Sequence, residues 1–312
     1  MSTRDRLLGL TVAALWGVNF IAIRYGLNHF PPFFFAALRF AVMAVPVIAF
    51  VRFPKVHLRW FLVYGVGFGV GQFALLFLAM NIGMPTGLAS LVLQTSAPFT
   101  VLLGVAMLRE RLTPAQILGI AVAVGGIAVI GVDQAGHSAL GWGVLLPVAL
   151  TVLAGLSWAF GNIGSRLAEP DDALRMTLWM SVVPPVPLYL LSLVIEGPSA
   201  GFHAVATLGS RSGLEALAGL AYVVVLATIV GSGLWTLLMQ RYPASRVAPL
   251  SLLVPVAGIS AAWLILGETP SALELCGAAL VIAGCAAGVL AAPHKSTPEI
   301  DEESNDAVAQ SI

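Results

Sequence analysis

The same helical pattern occurs twice in this sequence, in two apolar runs about half a chain apart. Pro98 lies inside a run that ends at Glu110, and Pro255 lies inside a run that ends at Glu268. The matching turn and helix residues are Thr113, Pro114, Gly119 and Gly126 in the first copy, and Thr269, Pro270, Gly277 and Gly284 in the second. Paired positions are 156 to 158 residues apart. A near-constant offset indicates a duplicated unit, and paired interrupted helices in a membrane protein point to a transporter's binding site.

The composition predicts an integral membrane protein. Of the 312 residues, 59% are hydrophobic and 10% are charged, whereas about a quarter of the residues of soluble domains are charged. Ten apolar stretches are long enough to cross about 30 Å of hydrocarbon as helices. Their predicted bounds are 7–26, 32–51, 60–81, 85–107, 114–132, 141–166, 174–195, 213–239, 244–266 and 271–291. The first stretch follows two arginines, as in a signal peptide, but its long core without a cleavage site favours a retained helix.

The distribution of positive charge predicts the orientation in the membrane. Twelve lysines and arginines fall on the side of the N-terminus, two fall on the other side, and Arg39 lies within the second stretch. By the positive-inside rule, both termini are expected in the cytoplasm. Because each repeat has an odd number of helices, the second repeat must be inverted. The predicted fold is all-α and integral to the membrane, with two inverted five-helix repeats over residues 1–133 and 134–291. Residues 292–312 are predicted to be a disordered cytoplasmic tail.

The turn that follows each interrupted helix contains helix-capping residues. Thr113 and Thr269 are predicted to cap helices whose first turn begins at the next proline. Gln116 completes a capping-box pattern in the first copy, and Ser271 with Glu274 offers a shifted version in the second. The glutamate that precedes each turn is therefore better explained as a boundary or interface residue than as a proton carrier.

The two prolines indicate where backbone groups could be free inside the membrane. A proline in a helix displaces the carbonyl four residues earlier, which here belongs to Gln94 before Pro98 and to Ser251 before Pro255. In a bilayer such a carbonyl must be covered by protein or face a water-filled cavity. One alternative is therefore a pair of kinked helices whose carbonyls bond to neighbours. The other, favoured by the duplication, is a cavity between the repeats.

Two tryptophans in the middle of their spans suggest a wall for such a cavity. Trp16 in helix one and Trp158 in helix six occupy matching positions at an offset of 142 residues. Asn19 and Asn162 share a helical face with them. Tryptophans of the membrane interface lie at the ends of spans instead. The alternative is that these amides only hold neighbouring helices together.

Helices three and eight add further candidates. Helix three contains four alternating glycines that are explained by close helix packing, but Gln72, about halfway through the span, is a candidate site residue. Helix eight contributes Tyr222 and Trp235. The candidate substrate-binding residues are Trp16, Asn19, Gln72, Gln94, Trp158, Asn162, Tyr222, Trp235 and Ser251, and the helix-kink residues are Pro98 and Pro255.

The predicted spans contain one clear charge, that of Arg39, and no deep carboxylate or histidine. Carriers of protons through membranes usually keep such a group, so a simple carboxylate relay is not expected. Arg39 could pair with a substrate carboxylate, or it could extend towards lipid headgroups or bind backbone carbonyls near the membrane surface. No nucleophile with a base and no metal-ligating cluster is evident. We therefore expect neither an enzyme nor a cofactor.

The repeated modules resemble a known family. The segment 87–131, with Pro98 and the turn around Thr113, and the segment 243–284, with Glu268, resemble the EamA modules of the drug/metabolite transporter superfamily. The resemblance covers nearly the whole chain. It implies ten helices in inverted five-helix repeats and export of small metabolites from bacteria. Within the superfamily the chain is most similar to amino-acid exporters.

These observations lead to a functional expectation. The chain is predicted to be a monomeric exporter in the bacterial inner membrane, carrying aromatic and other neutral amino acids by alternating access. With no evident coupling ion, facilitated diffusion or exchange is expected. The alternative is an exporter of other small metabolites, nucleosides or toxic compounds, with proton coupling as an option. The expected partners are the small-molecule substrate and membrane lipid, with no nucleic acid.

Overall fold

A computed structural model describes residues 1–109, 112–137, 143, 145–242 and 244–290 of the chain. These residues form ten long helices and no strand. The helices are α1 (Thr3–Leu27), α2 (Pro32–Phe50), α3 (Leu58–Asn81), α4 (Thr86–Leu108), α5 (Pro114–His137), α6 (Leu145–Leu167), α7 (Ala173–Glu196), α8 (Arg211–Arg241), α9 (Pro249–Leu266) and α10 (Ala272–Leu290). Within the described residues, nine are long and apolar enough to cross a membrane, and α10 contributes a shorter apolar segment. The prediction of an all-α integral membrane fold is confirmed.

The helices pack with a twofold pattern that relates the first five to the last five. Helix α5 packs along α10, and α2 packs along α7. Helix α1 packs against α8 and α9, and correspondingly α6 packs against α3 and α4. The most extensive contacts between the halves are thus either their own counterparts or have a matching contact in the other half. The interface between the repeats is consequently built mainly by α1 and α6, the helices that carry the two matching tryptophans.

The repeated glycines explain how closely α5 and α10 approach. A Cβ atom on Gly126 would lie 2.7 Å from the carbonyl oxygen of Gly277, and one on Gly277 would lie 2.8 Å from the carbonyl oxygen of Gly126. The other two repeated glycines also meet, because a Cβ atom on Gly284 would clash with the carbonyl oxygen of Gly119. Only residues without a side chain allow backbones this close. Gly126 corresponds to Gly284 in the other repeat, and Gly277 corresponds to Gly119. The repeat relation therefore exchanges the two contacts, which is the signature of a twofold relation.

Close packing also accounts for the glycines of α3, as predicted. A Cβ atom on Gly67 would lie 2.6 Å from the backbone nitrogen of Gly161 in α6, and one on Gly164 would lie 2.7 Å from that of Tyr64. Helix α3 therefore approaches α6 backbone to backbone. This contact brings the middle of α3 directly beside the α6 face that carries Trp158 and Asn162.

Four of the helices have irregular segments at corresponding places in the two repeats, besides the π-helical segments that end α7 and α9. Helix α3 has a π-helical segment over Gly65–Gly71, and α8 has one over Tyr222–Gly231. Helix α4 has a short 3₁₀ segment over Leu93–Thr95, and α9 has one over Ala248–Leu252. The 3₁₀ segments come just before the two interior prolines, where a backbone donor is missing and a carbonyl is displaced. Segments of π-helix are rare and often lie at functional sites.

The capping boxes predicted after the interrupted helices are confirmed, with one correction. The Thr113 backbone nitrogen donates to the Gln116 side chain at 2.9 Å, and the Gln116 nitrogen donates to the Thr113 hydroxyl at 3.2 Å. Ser271 and Glu274 make the same reciprocal pair, each bond 3.0 Å long. Thr269 was predicted as the second cap, but α10 begins at Ala272. The capping position is therefore Ser271, two residues later.

This correction predicts the effect of two neighbouring substitutions. Ser271→Ala is expected to lower the free energy of unfolding by about 1 to 2 kcal/mol, because the Glu274 amide loses its acceptor and Asp133 loses a donor 2.6 Å away. Thr269→Ala, at an exposed position outside the helix, is the matched control and is expected to cost less than about 0.5 kcal/mol. Denaturant unfolding in detergent measures both, and a larger effect at Thr269 would contradict the assignment.

Candidate functional site

Three of the predicted site residues come together where α1 meets α8. The Trp16 indole nitrogen donates to the carbonyl oxygen of Ala227 at 2.9 Å. The Trp16 and Trp235 rings lie 5.2 Å apart between centroids. The Tyr222 hydroxyl donates to the carbonyl oxygen of Leu15 at 3.1 Å. We call Trp16, Tyr222 and Trp235 the α1–α8 cluster. Tyr222 and Ala227 belong to the π-helical segment of α8, so this segment forms one side of the cluster.

The second tryptophan occupies an equivalent place where α6 meets α3. The Trp158 ring packs edge-on against Phe68, with centroids 5.7 Å apart, and Phe68 lies in the π-helical segment of α3. We call Phe68 and Trp158 the α3–α6 cluster. One turn away, the Asn162 amide donates to the Thr100 hydroxyl at 3.0 Å. Each matching tryptophan therefore contacts the π-helical segment of the neighbouring helix from the opposite repeat.

The carbonyls predicted to be displaced by the two prolines both have protein partners. The Gln94 side-chain amide donates to the carbonyl oxygen of Ser251 at 3.3 Å, which joins α4 to α9. The carbonyl oxygen of Gln94 accepts from the Cys285 thiol at 3.7 Å. Of the two alternatives that the sequence left open, the structure therefore shows carbonyls bonded to neighbours. Gln94 and Ser251 connect the two repeats directly.

Two predicted amides are buried without a complete set of partners. The side-chain oxygen of Asn19 in α1 and that of Gln72 in α3 are buried and accept no hydrogen bond from the described residues. Gln72 is 3% exposed. An unpaired buried polar group costs about 1 to 3 kcal/mol, and native structures contain few of them. Among the predicted site residues, Asn19 and Gln72 are therefore the ones whose buried side-chain oxygens are free to accept a hydrogen bond.

Arg39 lies in the protein interior, which the sequence did not decide. Its side chain is 4% exposed, so it does not extend to the membrane surface. The guanidinium lies 4.1 Å from the ring centroid of Phe73 and 4.8 Å from that of Phe40. One terminal nitrogen donates to the Thr228 hydroxyl at 3.3 Å. Phe73 and Thr228 were not among the predicted site residues, although Phe73 directly follows Gln72.

Arg39 lies between the two tryptophan clusters. On one side, Phe73 packs against Phe68 of the α3–α6 cluster with centroids 5.8 Å apart. On the other side, Thr228 follows Ala227, whose carbonyl binds the α1–α8 cluster. The structure thus connects the two clusters through Phe73, the guanidinium of Arg39 and the π-helical segment of α8. Phe68 and Phe73 were not predicted as site residues. Both lie at the glycine-rich part of α3, and this pattern in the sequence could have indicated them.

Carboxylates hold the ends of helices from opposite repeats together. The Glu268 carboxylate, at the end of α9, accepts from the backbone nitrogens of Thr86 and Gly87 at the start of α4, both at 3.0 Å. Glu196, at the end of α7, accepts from two backbone nitrogens at the start of α2, at 2.6 and 3.0 Å. The interpretation of Glu268 as an interface residue is confirmed. Its repeat counterpart Glu110 lies outside the described residues.

Two cavities open elsewhere on the described surface. One is lined by residues of α2, of α7 and of the short helix Ala200–Ala206 that follows α7, including Phe34, Tyr189 and Phe202. The other lies between α4, α9 and α10 and includes Leu88 and Glu268. Neither is lined by a predicted substrate-binding residue. The described residues contain no group of three or more histidine, cysteine or acidic side chains placed to hold a metal ion.

Comparison with known proteins identifies the family. The model of the EamA-like transporter family matches residues 6–132 and 142–289. A "Probable amino-acid metabolite efflux pump" of Escherichia coli (strain K12) is 40% identical over 288 residues, covering 91% of this chain and 94% of the relative. A protein of the same name from Salmonella typhimurium (strain LT2) is 43% identical over 289 residues, with the same coverage.

A solved structure supports the same conclusion about the fold. A crystal structure of a protein with 20% sequence identity covers 93% of this chain and 99% of its own, with a TM-score of 0.60. At this identity the likeness concerns the fold alone. The two segments of this chain that match the family model coincide with the two halves that the helix packing relates by a twofold pattern. This chain is a multi-pass membrane transporter that belongs to the EamA-like transporter family.

Proposed function

We propose that this protein exports amino acids, aromatic and other neutral ones, across the bacterial inner membrane. The names of the relatives at 40% and 43% identity supply the substrate class. The observation that carries the proposal for this chain is the composition of the interface between the repeats. Tryptophans, uncharged amides and one arginine lie there, and the buried carboxylates of the described residues lie at helix ends.

This composition suits a zwitterion with an apolar side chain. The buried oxygens of Asn19 and Gln72 can accept hydrogen bonds from an ammonium group. The rings of Trp16, Trp158 and Trp235 offer flat apolar surfaces to an aliphatic or aromatic side chain. A substrate with several phosphates would require more cations than the one arginine found here. The predicted residues Gln94, Asn162, Tyr222 and Ser251 complete the proposed binding region, with Pro98 and Pro255 marking the irregular helices.

The proposed mechanism is alternating access between the two repeats, working as facilitated diffusion or exchange. The twofold packing allows the helices of one half to rotate against those of the other around a central site. The chain would act as a monomer with both termini in the cytoplasm, over repeats 1–133 and 134–291 and a tail over 292–312. The lysines and arginines grouped on the N-terminal side support this orientation.

Intracellular accumulation of amino acids tests the proposed function. Cells with and without the protein are given a panel of dipeptides, which release their amino acids inside the cell. Cells that carry it are expected to hold less phenylalanine and threonine and to resist inhibitory concentrations of the dipeptides. A variant with both Trp16→Ala and Trp158→Ala is the control, because it should accumulate as much as cells without the protein. Equal accumulation in all strains, with resistance only to nucleosides or toxic cations, would contradict the proposal.

Proteoliposomes test the proposed absence of ion coupling. Purified protein should move labelled phenylalanine down its concentration gradient with no imposed proton gradient, because no carboxylate or histidine among the described residues lies deep in a span. An imposed pH difference should change the initial rate by less than about twofold, since a coupling proton would need a titratable carrier. Strict dependence of transport on that gradient would contradict this part of the proposal.

A further inference from the structure

We propose that Arg39 binds the carboxylate of the transported amino acid. This inference rests on the proposed function and adds to it the residue that recognises the common end of every amino acid. Arg39 is on α2, seven residues after the helix begins at Pro32. The sequence left this pairing as one of several alternatives, and Arg39 was not included among the predicted substrate-binding residues.

The hydrogen bonding of the buried Arg39 charge is incomplete. Arg39 is 4% exposed, and its Nε and one terminal nitrogen donate to no partner in the described residues. The second terminal nitrogen has one long bond, 3.3 Å, to the neutral hydroxyl of Thr228. An isolated buried cation is costly unless a partner of opposite charge compensates it. Nη2 carries a second hydrogen besides the one donated to Thr228, so one edge of the guanidinium, Nη2 with either Nε or Nη1, can form the fork that binds both oxygens of a carboxylate.

The described residues also offer no anionic partner for Arg39. Three carboxylates are buried, and each is engaged elsewhere. Asp5 accepts from Tyr242 at 2.7 Å and pairs with Arg241 at 3.3 Å, near the N-terminus. The carboxylates of Asp133 and Glu274 accept from the hydroxyl and the backbone nitrogen of Ser271, respectively, at the start of α10. The charge of Arg39 is therefore balanced by no side chain of the described residues, which leaves it available to a substrate.

The surroundings of the Arg39 guanidinium are aromatic and suit a charged pair. The guanidinium lies against Phe40 and Phe73, at 4.8 and 4.1 Å from the ring centroids. Aromatic faces stabilise a cation without consuming its N–H groups. The rings also exclude water, so a charged pair formed there is stronger than the same pair in water. Arginine suits this place better than lysine, because its planar group stacks on rings and binds carboxylates with two bonds.

Contacts of Arg39 also connect it to the two tryptophan clusters. Thr228, which it contacts, follows Ala227, whose carbonyl binds Trp16. Phe73 in turn contacts Phe68 of the α3–α6 cluster. A carboxylate held by Arg39 would place the rest of an amino acid beside these aromatic surfaces. The carboxylate would also lie where α2, α3 and α8 meet. Its bond to Arg39 could therefore link helices of both repeats during transport.

The alternative is a purely structural role, in which Arg39 only joins α2 to α3 and α8. The two roles predict different substrate preferences. If Arg39 binds the carboxylate, wild-type protein should transport phenylalanine with a KM about 10- to 100-fold lower than that of phenylalaninamide, because charged hydrogen bonds contribute this much to affinity. Arg39→Gln should raise the KM for phenylalanine by the same factor and leave that for the amide nearly unchanged. Arg39→Lys should fall between the two.

Proteoliposome flux with these two labelled substrates is the experiment. Arg24→Gln is the matched control, because Arg24 is a partly buried arginine that donates to the Met80 carbonyl at 2.8 Å and lies outside the proposed site; it should keep the wild-type preference. An Arg39→Gln protein that elutes as a single folded species and keeps the wild-type preference would overturn the inference.

A second measurement uses only the wild-type protein, in case the Arg39 variants fail to fold. Thermal unfolding in detergent is followed with phenylalanine, phenylalaninamide or phenethylamine at equal concentrations. Stabilisation by phenylalanine alone is the expected result, and equal stabilisation by all three would overturn the role of Arg39 while leaving amino-acid transport intact. If the wild-type protein transports no amino acid at all, both the inference and the proposed function are wrong.

Discussion

Gly126→Leu is expected to leave little folded protein in the membrane. At this position a Cβ atom would lie 2.7 Å from the carbonyl oxygen of Gly277 and 2.9 Å from side-chain atoms of α10. Because the nearest atom belongs to the backbone of a facing helix, no side-chain rotation can relieve the clash. Separating α5 from α10 would remove the closest contact between the repeats, at a cost of about 3 kcal/mol or more. The yield of monodisperse protein and its midpoint of thermal unfolding measure this effect.

The adjacent glycine is the matched control for this prediction. Gly125 is exposed on α5, and a Cβ atom there would meet no atom within 4 Å. Gly125→Leu makes the same chemical change one residue away and should fold and unfold like the wild-type protein. If both variants behaved alike, the packing of α5 on α10 through Gly126 and Gly277 would be wrong.

Glu268→Ala is the second substitution with a large expected effect. The Glu268 carboxylate accepts from the backbone nitrogens of Thr86 and Gly87, each at 3.0 Å, at the beginning of α4. Its removal leaves two backbone donors without their acceptor and takes a negative charge from the positive end of a helix. The free energy of unfolding in detergent should fall by about 2 to 3 kcal/mol. Glu268→Gln, which can still accept one bond, should lose roughly half of that amount.

A glutamate in a surface pair provides the comparison. Glu215 bonds to Arg211 at 3.0 Å, with side chains 43% and 94% exposed, and such pairs contribute little to stability. Glu215→Ala is therefore expected to change the free energy of unfolding by less than about 0.5 kcal/mol. If removal of Glu268 had no larger effect than removal of Glu215, the contact between α9 and α4 would not be a structural joint between the repeats.

The sequence predicted the architecture because membrane spans and repeats are local patterns. Ten apolar stretches were predicted within a few residues of the observed helices, and Thr113 with Gln116 forms the predicted capping box. Such features depend on spacing along one segment. The glycines at matching offsets also indicated a duplication, and their contacts show what they do, because Gly126 meets Gly277 across the twofold relation.

The irregular segments and long-range contacts could not be predicted from local patterns. A π-helical turn in α3 or α8 depends on how neighbouring helices pack, and no single residue type specifies it. The bond from Gln94 to the carbonyl of Ser251 joins residues 157 positions apart. Whether a displaced carbonyl meets a neighbour or a cavity is decided by such contacts, which is why the sequence left both alternatives open.

Arg39 illustrates the limit most clearly. Its distance from the start of α2 is short enough for a flexible side chain to reach the membrane surface, and nothing in the residue pattern argues against that orientation. The structure directs the guanidinium inward between Phe40 and Phe73 because α3 and α8 pack over this part of α2. Tertiary packing, which local sequence patterns do not show, therefore places Arg39 at the centre of the proposed site.

The location of a bound amino acid tests the central claim most directly. The account predicts that a crystal structure with 4-bromophenylalanine will show the anomalous bromine signal between the repeats, beside Trp16, Trp158 or Trp235, with the carboxylate on Arg39. The signal should disappear in Arg39→Gln crystals and persist in Arg24→Gln crystals. A bromine signal in the surface cavity beside Phe34 and Tyr189, and none between the repeats, would contradict the account.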